Sequence, residues 1–147
     1  MSQVEKSIEV DVSLRVAYNQ WTHFESFPRF LDGVERVTQI NDFVIHWKTE
    51  VEGVTREFDA EITEQIPDER VAWTVVGEPT WSAVVTFDHL DEVKTRVTLR
   101  LDYNPQGFAE KLGDKLGLVK RRVSGDLKNF KEYIESRGPD TGSEPTL

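Results

Sequence analysis

Residues Phe108–Arg137 read FAEKLGDKLGLVKRRVSGDLKNFKEYIESR, and the apolar positions in this stretch decide the fold. Phe108, Leu112, Leu116, Val119, Val123, Leu127, Phe130 and Ile134 are spaced 4, 4, 3, 4, 4, 3 and 4, which draws one continuous stripe along an α-helix. Such a helix runs about 44 Å at about 1.5 Å per residue and needs an apolar partner along its whole length. The residues before it supply that partner, because Val34–Tyr103 reads almost entirely as strand.

Period-two alternation marks six strands there: Val34–Ile40, Phe43–Val51, Val54–Ile66, Arg70–Val76, Trp81–Leu90 and Lys94–Tyr103. Turn residues separate them at Asn41–Asp42, Glu52–Gly53, Pro67–Glu69, Gly77–Pro79 and Asp91–Glu92. The inward set includes Ile45, Trp47, Thr49 and Val51 on one strand and Phe58, Ala60 and Ile62 on the next, while Glu57, Asp59 and Glu61 face out. One apolar and one charged face make an antiparallel sheet covered on one side only.

Working outward, Ser7–Asp11 forms a short first strand, and Ser13 is placed to cap a helix over Leu14–Trp21. Phe24–Leu31 is dense in aromatics and broken by Pro28, which allows one short helical piece more before the Asp32–Gly33 turn. Gly138–Pro139 stops the long helix, so that residues 1–138 form a single domain and residues 139–147 a disordered tail. The expected class is α+β: a curved seven-stranded antiparallel sheet around a long C-terminal helix, with two short helices between the first and second strands.

The composition sets the surroundings. A chain of 147 residues with 37% hydrophobic content builds one domain with a real core. It has no apolar run long enough to span a bilayer, and its first residues, MSQVEKSIEV, are charged where a signal peptide is apolar, so a soluble cytoplasmic protein is expected. The lack of cysteine excludes disulfides, thiolate metal sites and a cysteine nucleophile. Net charge is −9, yet residues 108–137 hold eight basic side chains against five acidic ones. The sheet is therefore strongly acidic, which disfavours nucleic acid as a partner, and Lys120–Arg122 reads as the solvated back of the helix.

Few residues carry a catalytic pattern. His23 lies on a loop, His46 at an outward strand position and His89 near a turn, so no metal or other cofactor is expected. No serine sits on a strand-to-helix elbow, and Gly113, Gly117 and Gly125 lie within a helix pattern instead of a phosphate loop. Each of these glycines costs roughly 0.8–1 kcal/mol relative to alanine in a helix interior. Gly113 and Gly117 either thin the helix above a ligand space, letting its first turns act as a lid, or admit a bulky ring from the sheet.

The element order resembles the helix-grip fold of the START-like (SRPBCC) superfamily, which includes the birch-pollen allergen, polyketide cyclases and dehydrases, and coenzyme-Q-binding proteins. Ala17–Tyr18, Trp21 and the run Phe27–Pro28–Arg29–Phe30–Leu31 carry the resemblance to the polyketide-cyclase and coenzyme-Q-binding branch, helped by Ala72–Trp73 and Thr95–Leu99. That resemblance implies binding or transport of a hydrophobic molecule (a lipid, an isoprenoid quinone or a polyketide-like aromatic) in a cavity under the long helix, with catalysis in some members only. The expected lining is Trp47, Thr49, Phe58, Trp73, Trp81, Phe87 and Tyr103 from the sheet and Leu112, Leu116 and Val119 from the helix, with Trp21, Phe24, Phe27 and Phe30 at its mouth. A filled core is the competing reading of the same residues. The alternative function is a cyclase or dehydratase working by general acid–base catalysis in that cavity, for which Tyr103, Tyr18 and Arg56 are the first residues to test. A third is protein binding through the basic surface of the helix.

Overall fold

The computed structural model describes residues 2–51, 53–77, 80–103 and 115–136. Along the chain these form β1 (Ser2–Val10), α1 (Leu14–Thr22), a 3-10 helix (Phe24–Arg29), β2 (Val34–Gln39), β3 (Val44–Val51), β4 (Val54–Ile66), β5 (Arg70–Val75), β6 (Trp81–Asp91), β7 (Lys94–Tyr103) and α2 (Lys115–Ser136). The seven strands make one antiparallel sheet in the order β1-β7-β6-β5-β4-β3-β2. β2 to β7 is thus a meander, and β1 closes the far edge beside β7. The two helical pieces carry the chain from the β1 edge to the β2 edge, across the concave face.

Local chemistry explains the connections. Ser13 Oγ accepts a hydrogen bond from Val16 N–H at 3.3 Å and caps α1 as expected. Pro28 lies inside the 3-10 helix, where a short turn tolerates a residue that an α-helix interior rejects. The chain then reverses at Gly33, whose φ of +83° is a left-handed conformation that a side chain disfavours, and the Gly33 carbonyl accepts from Glu50 N–H of β3 at 2.8 Å. Register shifts at Ile62–Glu64 of β4 and at His89–Asp91 of β6 bend the sheet into its concave shape.

Among the strands, one boundary differs from the sequence reading by more than a single residue. β1 begins at Ser2, well before Ser7, and pairs with β7 from Ser2 opposite Tyr103 to Val10 opposite Thr95. Ser2–Lys6 contains one apolar residue, Val4, so alternation carries little signal there. Val4 is nonetheless buried, and charged Glu5 beside it suits an edge strand that must not pair with another chain.

The stripe on α2 lies on the sheet as its spacing demands: Val119, Val123, Leu127, Phe130 and Ile134 are all buried. Each such side chain taken out of water contributes about 1.5–3 kcal/mol, so this half of the helix is a principal anchor of the domain. Its end is tied to the end of β1 by polar contacts. Lys131 Nζ donates to the Glu9 carbonyl at 2.9 Å and pairs with Glu135 at 2.6 Å, while Glu135 Oε2 accepts from Asp11 N–H at 2.7 Å. Phe108, Leu112, Gly113 and the tail 139–147 lie outside the described residues, and for Leu116 and Gly117 the helical backbone alone is described.

Candidate functional site

An aromatic wall lines the concave face. Trp47 of β3 stands opposite Phe58 of β4 in register, and the two rings stack at 5.9 Å with an interplanar angle of 13°. Trp81 of β6 meets both edge-on, at 6.0 and 5.9 Å, and Trp73 of β5 lies 6.0 Å from Trp47. From the 3-10 helix, Phe27 reaches Trp47 and Trp73 at 5.6 Å each, and Phe24 reaches Trp73 at 6.4 Å. Trp21 extends the chain of rings to Phe27, Phe30 and Phe130 of α2.

Burial divides this wall in two. Trp21, Phe24, Phe27 and Phe30 are no more than 2% exposed, so they fill the core between the sheet and the C-terminal half of α2 and do not stand at a mouth. The bend at Pro28 is the physical reason, since it folds the aromatics of this segment under the helix, where each finds a ring to pack on. Phe58, Trp81 and Leu101 are only half-buried, and with Trp47 and Thr49 they mark the end of the sheet where β3 and β7 finish. Phe87 is buried at the opposite end, against Tyr18, and Val119 is buried on α2.

Polar groups are scarce in this interior. Among the described residues the buried polar side chains are Gln20, Ser26 and Thr95, and each is satisfied locally. Gln20 Nε2 donates to Ser26 Oγ at 2.8 Å, Ser26 Oγ donates to the His23 carbonyl at 2.7 Å, and Thr95 Oγ1 donates to the Val12 carbonyl at 2.9 Å. Apart from Arg70 Nε, which lies 3.2 Å from Glu64 Oε1 in an ion pair, the buried side-chain donors left without a hydrogen bond among the described residues are indoles. The Nε1–H groups of Trp21, Trp47 and Trp73 are buried and have no hydrogen-bond partner among the described residues. A buried donor left unpaired costs about 1–3 kcal/mol, so these three groups need a reason.

The three candidates for acid–base work do not converge. Tyr18 packs edge-on against Phe87 at 5.6 Å, whereas Tyr103 is buried opposite Trp81 in the register of β6 and β7. Phe87 and Trp81 are six residues apart along β6, about 20 Å at about 3.3 Å per residue. Burial, and after it the negative charge of Asp68, pushes the Tyr18 phenol above its ordinary pKa, partly offset by a hydrogen bond with Gln65. Arg56 lies on the face of Phe58, opposite Thr49, but is exposed at the rim.

On the outer face Glu57, Asp59 and Glu61 are exposed as the alternation requires. What alternation did not show is that His46 joins two of them, Nδ1 to Asp59 at 2.7 Å and Nε2 to Glu57 at 2.9 Å. The signal was present in the two-residue turn Glu52–Gly53, which pairs Val51 with Val54 and so sets His46 opposite Asp59.

With this geometry in hand, likeness to known proteins is informative. The model of the polyketide cyclase/dehydrase and lipid transport family matches residues 10–132. A protein of Streptomyces lincolnensis, described only as an uncharacterized 17.2 kDa protein, is 59% identical over 143 residues, covering 97% of this chain and 95% of its own. Among solved structures, the Zhui aromatase/cyclase of a Streptomyces species is similar with a TM-score of 0.80 at 15% identity, over 97% of this chain and 99% of that one. A START superfamily protein from Mycobacterium smegmatis is similar with a TM-score of 0.70 at 17% identity, over 92% of this chain and 95% of that one. Those two structures establish a shared START-like, helix-grip fold. With most of its length matched by the family model, the chain belongs to the polyketide cyclase/dehydrase and lipid transport family.

Proposed function

We propose that the protein binds a hydrophobic small molecule against the half-covered end of its concave face, and that this molecule carries a hydrogen-bond acceptor such as a carbonyl oxygen. The observation that carries the reading is the pair of buried, unpartnered indole N–H groups on Trp47 and Trp73, beside the partly exposed rings of Phe58 and Trp81. Rings supply flat apolar contact, worth about 0.5–1.5 kcal/mol per aromatic pair beyond the area buried. An acceptor on the ligand would meet a donor that the core leaves unpaired. The register pairing of Arg56 with Thr49, and the exposure of Arg56, support contact with a polar end of the ligand that stays in water.

Binding is favoured over acid–base catalysis because Tyr18 and Tyr103 lie at opposite ends of the sheet. The family's description, which spans lipid transport as well as cyclisation, agrees with either activity. Tryptophan emission provides the test. Titration with an isoprenoid quinone or an aromatic polyketone should quench it saturably, a saturated fatty acid should bind at least about tenfold more weakly, and Trp81→Leu should weaken the preferred ligand by about tenfold or more. Equal affinity for all three classes, or no saturable response to any, would contradict the proposal.

A further inference from the structure

A second site lies on the other side of α2. Between the solvent face of that helix and the loop after the 3-10 helix runs an open groove of about 330 Å³, lined by Asp32, Arg121, Arg122, Gly125, Asp126 and Lys128. Arg121 and Arg122 lie four and three residues before Gly125 and Lys128 three after it, so these cations share one face around a stretch of bare backbone, with Asp126 directly beside the glycine. Gly125 is not there to let the protein pack closely, because a Cβ added to it would meet nothing within 4 Å. Its neighbour is also unfavourable for the fold. The Asp126 carboxylate accepts from Asp32 N–H at 3.0 Å, yet its pKa is pushed up to about 6, chiefly by burial, with Arg122 acting to lower it and Asp32 to raise it. Arg122 spends one Nη2–H on the Asp32 carbonyl at 3.1 Å, and Arg121 and Lys128 are exposed with no ion pair among the described residues.

A helix-weakening glycine and a desolvated carboxylate thus occur side by side in one cationic groove of an otherwise acidic protein. Departures from local stability that coincide in space mark function more often than chance. We propose that this groove binds a small oxyanion of the phosphate or sulfate type, held by Arg121, Arg122 and Lys128 over the bare backbone at Gly125. Guanidinium and ammonium groups supply charge-assisted donors to the anion's oxygens, and the missing side chain allows it to approach the helix. Asp126 takes up a proton as the anion arrives, which removes its repulsion and leaves Asp32 as the one charged carboxylate among the described residues that line the site.

Calorimetric titration of the full chain with sodium sulfate tests this, since sulfate keeps its charge over the range used, with chloride as the control for general screening. Saturable sulfate binding is expected, about tenfold tighter near pH 5.5 than near pH 7.5. Asp126→Asn should abolish that pH dependence, the double variant Arg121→Gln/Lys128→Gln should lose binding, and Gly125→Leu should lose binding while melting no lower than the wild type. No saturable binding, binding indifferent to the Arg121/Lys128 change, or pH dependence that survives in Asp126→Asn would each overturn the proposal. Vesicles of phosphatidylglycerol and of phosphatidylcholine distinguish the source: attachment to the anionic vesicles without affinity for free sulfate would make this a membrane-facing surface and overturn the small-anion site.

Discussion

His46 sits between two carboxylates, and the hydrogen bonds it donates to Glu57 and, to a lesser extent, Asp59 raise its pKa above the ordinary 6.5. A folded-state pKa above the unfolded one gives stabilisation that is complete below the ordinary value and fades as pH rises through the folded value. His46→Gln should therefore lower the melting temperature near pH 5.5 and leave it unchanged near pH 9, as read by differential scanning fluorimetry at about those two values. An equal loss at both would show that packing, not charge, is at stake. Asp126 also titrates upward, from 3.8 to about 6, so its neutral form is the one the fold prefers. Its favourable contribution is present below the ordinary value and is lost as pH rises through about 6. Asp126→Asn should gain stability relative to the wild type between about pH 4 and about pH 7.5, and a constant difference across that interval would refute the assignment. Neither environment was legible from spacing alone. Alternation placed His46 outward correctly, but its partners follow from the register of a hairpin, and the burial of Asp126 follows from where a loop lands on a helix.

At the scale of elements, α2 carries the most checkable energetics. Phe130 is buried and meets the rings of Trp21 and Phe30 at 5.1 Å each, so Phe130→Ala should cost about 3–5 kcal/mol in chemical denaturation. A loss below about 1 kcal/mol would mean that this half of the helix is not the anchor described. The cap on α1 is smaller in effect: Ser13→Ala should cost about 1 kcal/mol. The buried stripe from Val119 to Ile134 was legible because its period is that of a helix and its partner is a sheet of known face. The 3-10 segment was legible in kind, through Pro28, but not in direction. Nothing in the order Phe24–Phe27–Phe30 says whether those rings open a mouth or close a core, since that depends on Trp21 and Phe130 arriving from elsewhere in the chain. β1 was half legible, because an edge strand protected by charge hides the very pattern that reveals a strand.

For the molecule as a whole, two patterns sufficed to assign the architecture: alternation from Val34 to Tyr103 and one apolar stripe after it. The use of the enclosed space was not legible, because an apolar side chain facing inward looks the same in a sequence whether it touches another side chain or a ligand. The structure separates the two cases along the sheet. Trp21, Phe24, Phe27, Phe30 and Phe130 pack one another, while Phe58 and Trp81 stay half-covered beside the unpartnered donors of Trp47 and Trp73. The claim that a hydrophobic, acceptor-bearing molecule binds at that end is tested most directly by native mass spectrometry of the full chain purified from its own host. The account predicts a non-covalent adduct whose mass, after solvent extraction, belongs to an apolar compound with carbonyl or quinone oxygens, and which Trp47→Phe/Trp73→Phe fails to retain. A clean unliganded mass, together with no thermal shift against quinones, aromatic polyketones and fatty acids, would contradict it.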